Sequence, residues 1–155
     1  MNETRRPAPA PRRRPTPSEE AVIGVLRAAD LFRRRLAALF EPHDLTLQQY
    51  NVLRILRGAR PEPLPTMEIA ERMMEQAPGI TRLVDRLEAK GLVERQRGAD
   101  DRRCVRCTIT PPGLALLARL DEPVTRMDEE LLAALDAGEA RQLGALLARV
   151  CPSGG

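Results

Sequence analysis

Apolar residues recur at three- and four-residue spacings through most of the chain, and residues that start or stop helices bound each run. From Ser18, backed by Glu19 and Glu20, the positions Val22, Leu26, Ala29, Phe32, Leu36, Leu39 and Phe40 mark one face of a first helix. Thr46 with Gln49 three residues later reads as a capping box, and Leu47, Tyr50, Leu53 and Leu56 continue a second helix that Gly58 ends. Thr66 is the expected N-cap of a third helix, Met67 to Met74, with Ile69, Ala70, Met73 and Met74 on its apolar side. Only Glu75 to Ala77 separate it from a fourth. There Pro78 suits the first turn, Gly91 suits the left-handed residue past the end, and Ile80, Leu83, Val84 and Leu87 form the stripe.

The period then changes from helical to alternating. Leu92 to Arg97 and Cys104 to Thr110 are short runs parted by Gly98, Ala99, Asp100 and Asp101, which predicts a β-hairpin with a polar tip. In its second strand Val105, Cys107 and Ile109 face one way, and Cys104, Arg106 and Thr108 the other. Thr110 with Pro111 then opens a long helix carrying Leu114, Leu117, Leu120, Val124, Met127, Leu131 and Leu135, with Pro123 expected to bend it. Asp136 with Glu139 caps a last helix bearing Leu143, Leu146, Leu147 and Val150. The predicted fold is mainly α with a small β-hairpin: a helix-turn-helix and a wing between flanking helices.

The polar side of the fourth helix carries Gly79, Thr81, Arg82, Asp85 and Arg86. A helix packed on one side, with small, hydroxyl and guanidinium groups on the other, fits a DNA major groove of about 12 Å width. Taken alone, the same face also fits a solvated surface helix. The hairpin adds Arg95, Arg97, Arg102, Arg103 and Arg106, suited to a narrow minor groove or to phosphate. Asp101, two residues before Arg103, can hold that side chain extended through an exposed ion pair worth about 0.2 to 1 kcal/mol.

These stretches, namely Leu64, TMEIAERM (66 to 73), ITRLVDRLEAKGLVER (80 to 95), DRR (101 to 103) and TITPPG (108 to 113), resemble the multiple-antibiotic-resistance-regulator (MarR-type) winged helix-turn-helix transcription factors. The likeness extends over most of residues 18 to 150. It implies DNA contacts by Thr81, Arg82, Arg86, Asp101, Arg102 and Arg103, with Asp101 and Arg103 matching the family's wing Asp-x-Arg. Ala77-Pro78-Gly79 departs from the pattern, since a Ser or Thr is common before the recognition helix. The resemblance also implies a DNA-binding lobe at about 46 to 110 and a dimer interface formed by the helices at about 18 to 41 and 111 to 150. Two recognition helices related by a two-fold axis enter successive major grooves about 34 Å apart, so the expected operator is a double-stranded pseudo-palindrome. Proteins of this type often answer to a small phenolic or aromatic acid held between dimer helices and DNA-binding lobe. The candidate wall here is Phe32, Leu36, His43, Tyr50, Leu53 and Met74, all of which also suit a simple core.

Composition adds limits. With 155 residues the chain is long enough to bury a core as one domain, 18 to 150, with tails at 1 to 17 and 151 to 155. No Trp, one Tyr and two Phe leave Leu, Val, Ile, Met and Ala to fill it. Residues 1 to 17 hold five Arg against Glu3, residues 121 to 155 hold three basic groups against seven acidic ones, and the positive charge therefore lies toward the DNA-reading part. The Pro/Arg-rich first 17 residues are expected to be disordered, as a basic arm on phosphate or an inert tail. They lack the apolar stretch of a secretory signal, and no apolar run reaches the ~18 residues of a membrane span, so the expectation is a cytoplasmic protein that does not enter membranes.

Cys104 and Cys107 form a C-x-x-C, but on a strand that spacing puts the thiols on opposite faces, and no second pair completes a metal site. A thiol switch involving these residues or Cys151 is the alternative to incidental packing. With one histidine, His43, and no H-E-x-x-H, G-x-S-x-G or Walker-type loop, catalysis is not expected, nor a cofactor. A protein–protein adaptor on the same scaffold is the competing class, because a fold does not fix a function.

Overall fold

The computed structural model describes residues 13–74, 79–97 and 105–151. The elements are α1 (Pro17–Phe40), a 3-10 turn (Glu41–His43), α2 (Leu47–Ala59), β1 (Leu64–Pro65), α3 (Thr66–Glu71), α4 (Ile80–Ala89), β2 (Val93–Arg97), β3 (Val105–Ile109), α5 (Pro111–Leu131) and α6 (Ala137–Val150). The three strands form an antiparallel sheet ordered β1-β3-β2.

Capping chemistry sets most helix starts. Thr46 and Gln49 form the reciprocal box that opens α2, Thr110 accepts from the Gly113 N–H ahead of Pro111 in α5, and Asp136 and Glu139 open α6. Two starts differ from expectation. The first helix is capped by Thr16, whose box partner is Glu19, so Pro17 occupies the first turn and Ser18 lies inside it. Thr66 is a helical residue of α3 and not its cap: its hydroxyl donates to Val105 O at 3.2 Å and lies 3.8 Å from Cys107 Sγ. Side-chain capping is thereby given up for a link from α3 to β3. α3 ends at Glu71, short of Met74, and α5 ends at Leu131, leaving Leu135 in the turn before α6. β1 was not expected, because two residues ending in a proline carry no alternating pattern.

The core gathers under the sheet and between α2, α4 and α5. Phe40, Val52, Leu53, Leu56, Ile69, Val84, Leu87, Cys107, Leu117 and Leu120 are fully buried in it. The Phe40 and Tyr50 rings stack with centroids 4.4 Å apart and join α1 to α2. Each buried Leu, Val or Phe contributes about 1.5 to 3 kcal/mol relative to exposure, so this cluster fixes how α4 is held. The outer parts of the chain are packed differently. Leu26 on α1 is 63% exposed and Leu146 on α6 is 47% exposed, and Val22, Leu143, Leu147 and Val150 are exposed beside them. An apolar face this open on both terminal helices is unpaired within one chain.

Candidate nucleic-acid interface

α4 is anchored through Val84 and Leu87, which are fully buried, with Ile80 packed against the same cluster. Its opposite side stands in solvent, and Thr81, Arg82, Asp85 and Arg86 are all exposed there. Arg82 and Arg86 are four residues apart and therefore neighbours on one face. The helix begins at Ile80 after Gly79, whose φ of +98° is left-handed and which provides no side-chain cap. Pro78, expected in the first turn, lies outside the described residues. At the other end Gly91, with φ +68°, makes the expected left-handed stop.

Two cations tether this helix. Lys90 Nζ donates to the Asp44 carbonyl oxygen and lies 2.9 Å from its carboxylate, which ties the end of α4 to the turn before α2. Arg95 on β2, read from the sequence as a groove or phosphate contact, turns inward instead. It lies 2.5 Å from Asp85 Oδ1 and donates to Thr81 O at 3.1 Å. Arg106 on β3 is exposed and donates to Pro63 O at 3.4 Å. Asp101, Arg102, Arg103 and the Arg97 side chain fall outside the described residues, as does Cys104.

Cys107 is buried at the centre of the sheet, on the face it shares with Val105 and Ile109. Burial pushes its thiol up from the ordinary value, and the Thr66 hydroxyl and Arg95 guanidinium only partly offset that. A thiol held protonated is unfavourable for oxidation sensing, whereas Cys151 is exposed. Among the described residues no group of three His, Cys, Asp or Glu side chains is placed to hold a metal ion.

The six residues of the expected ligand wall have different surroundings among the described residues. Tyr50 and Leu53 are in the core, where burial pushes the Tyr50 phenol up, and Phe32 and Leu36 are half-buried on α1. His43 is exposed on an open groove with Lys90, Pro112 and Arg119, and Met74 lines a separate cleft of about 50 Å³ with Leu47, Asn51 and Met73. Periodicity marks an apolar face but cannot tell the inner core from a cavity wall. A cavity of about 880 Å³ lies between α1, the start of α2 and α4. Ala37, Ala38, Leu45 and Leu47 supply apolar wall, and Arg33, Arg86 and Lys90 supply positive charge.

A helix-turn-helix whose second helix is bare on one side, with a β-hairpin seated against it, defines a winged helix-turn-helix protein. The MarR family model matches residues 45–105. The HTH-type transcriptional regulator PecS of Dickeya dadantii is 33% identical over 132 residues, 83% of this chain and 79% of that protein. A MarR transcription factor from Planctomyces limnophilus is 40% identical with TM-score 0.69, over 87% of this chain and 98% of that one. A cysteine-to-serine mutant of MarR from E. coli, solved in complex with operator DNA, is 28% identical with TM-score 0.76, over 84% of this chain and 93% of that one. The chain belongs to the MarR family of DNA-binding transcriptional regulators. No helix of the described residues is long and apolar enough to cross a membrane.

Proposed function

We propose that the chain is a sequence-specific reader of double-stranded DNA that acts as a dimeric repressor on pseudo-palindromic operators. The observation that carries this is the pair Arg82 and Arg86, exposed on α4 while Val84 and Leu87 lock its other side to the core. Thr81, Arg82 and Arg86 meet base edges and phosphates in the major groove, and Asp101, Arg102 and Arg103 supply the minor-groove contact. The E. coli relative solved in complex with operator DNA supports a DNA-binding role. Two copies meet through the apolar faces of α1 and α6, which sets the half-site spacing.

The effector is a small aromatic carboxylate or phenolate held in the cavity of about 880 Å³ beside α4. Arg86 borders both that cavity and the DNA-facing side, so an anion drawn to Arg86 and Lys90 competes with the operator for the same charge.

The test is selection of duplexes from random-sequence DNA by the full chain, followed by shift assays at rising salt. Arg82→Ala and Arg103→Ala are each expected to cost about 1 to 3 kcal/mol of binding, with sequence choice relaxed in Arg82→Ala. Salicylate in the same assay is expected to release the DNA. Failure to select any duplex would leave a protein–protein adaptor as the better reading.

A further inference from the structure

We infer that Arg95 is the positioning residue that locks the wing to the recognition helix, so that both DNA-reading elements are presented as one rigid unit. This rests on the DNA-reading role proposed above. Arg95 lies on β2, and its side chain is only 22% exposed, unlike the arginines of a DNA-facing surface. Its guanidinium reaches three residues of α4: Asp85 Oδ1 at 2.5 Å, the Thr81 carbonyl oxygen at 3.1 Å and Glu88 Oε2 at 3.6 Å. Positions 81, 85 and 88 follow the spacing of one helix edge, so a single fork grips about two turns of α4.

The other end of the lever is equally fixed. Arg95 pairs in register with Cys107 on β3, which is fully buried and pairs in turn with Leu64 on β1. The strand bearing the fork therefore cannot slide without breaking the centre of the sheet. Arg95 Nε is buried with no hydrogen-bond partner among the described residues, and the Glu88 carboxylate lies 3.6 Å from it. The planar fork spreads its donors over several acceptors of the helix at once, a geometry that lysine keeps only in charge and glutamine does not reproduce.

Asp85 and Glu88 are acidic groups on a helix proposed to approach phosphate, where a free carboxylate repels DNA. As anchors for Arg95 they have a different effect, and the two roles predict opposite signs for removing Asp85. A carboxylate that merely opposes DNA leaves tighter binding when deleted. A carboxylate that holds the wing in place leaves weaker binding, and weaker only where the docking geometry matters.

The experiment compares the parent with Asp85→Ala, Arg95→Met, Arg95→Lys and the double variant Asp85→Ala/Arg95→Met. Each is titrated against the duplex that the parent selects and against an unrelated duplex of equal length, over a range of salt. Asp85→Ala and Arg95→Met are each expected to lose about tenfold on the selected duplex and less than about twofold on the unrelated one. The double variant should lose no more than either single one, and Arg95→Lys should fall between Arg95→Met and the parent. The slope of log affinity against log salt should stay at the parent's value, because no phosphate contact is removed.

Tighter binding by Asp85→Ala, or additive losses in the double variant, would overturn the clamp. So would a slope lowered by about one charge in Arg95→Met, since Arg95 would then be a phosphate contact itself. Equal losses on both duplexes would reduce Arg95 to a structural residue. Should Arg95→Met fail to fold, Asp85→Ala alters only an exposed position and retains the decisive sign. If the parent selects no duplex, the DNA-reading role fails; if it does and discrimination survives in Asp85→Ala, the clamp alone fails.

Discussion

Arg57 Nη1 lies between both carboxylate oxygens of Asp121, 3.0 Å from Oδ1 and 2.8 Å from Oδ2, and so ties α2 to the middle of α5. The carboxylate holds the Arg57 guanidinium above its ordinary value, chiefly through this hydrogen bond. Asp121 is 49% exposed and Arg57 34%, so water screens the attraction heavily. Asp121→Ala is therefore expected to lower stability by less than about 1 kcal/mol, read from urea unfolding. A loss of several kcal/mol would mean that the pair acts as a buried link between α2 and α5.

Gly113 in the first turn of α5 gives a sharper expectation. A Cβ there would come within 2.4 Å of the Leu92 carbonyl oxygen and 2.7 Å of Ile109 Cγ1, because the start of β2 and the end of β3 press directly on the helix. Helix propensity favours alanine over glycine by about 1 kcal/mol, whereas overpacking costs about 1 to 3 kcal/mol. The near atom is backbone and cannot swing away, so the clash wins. Gly113→Ala is expected to destabilise the chain in a denaturant titration, while the same change at Gly58, which has open space around it, should not.

The apolar face left open on α1 and α6 predicts self-association. Leu26→Glu and Leu146→Glu place a charge on that face without disturbing the buried cluster, since neither residue belongs to it. Each is expected to shift the protein from dimer to monomer in sedimentation, with helix content by circular dichroism unchanged. Unaltered dimers in both variants would assign the interface elsewhere. Because the operator is taken to be a pseudo-palindrome, the monomers should also lose the tight, specific complex.

Where one short segment carries its own start signal, the sequence was enough. Thr46 with Gln49, Thr110 with Pro111 and Asp136 with Glu139 each open a helix as their spacing requires. The buried face of α4 followed from the spacing of Val84 and Leu87 in the same way. What escaped depends on residues distant in the chain. β1 exists because Leu64 pairs with Cys107, a partner 43 positions later, and Thr66 left its capping place for a strand carbonyl. Arg95 looked like any other wing arginine until Asp85 and the Thr81 carbonyl came within reach of it. The cavity beside α4 draws Arg33 from α1 and Gln48 from α2, a convergence that no periodicity along one helix encodes.

Cys107 yields a prediction with a definite pH sign. Burial holds its thiol above the ordinary value of 9.0, so the folded chain keeps a proton that the unfolded chain gives up. The resulting stabilisation is fully present below the unfolded value and is lost as pH rises from about 9 through the higher folded value. Compared with Cys107→Ala, the parent's advantage in stability should shrink from about pH 8 to about pH 10. In a Cys104→Ser/Cys151→Ser background the remaining thiol should react with a disulfide reagent only as fast as the protein opens. Rapid labelling at neutral pH without unfolding would show Cys107 to be reachable, and would bring back the oxidation switch that its place under the sheet argues against.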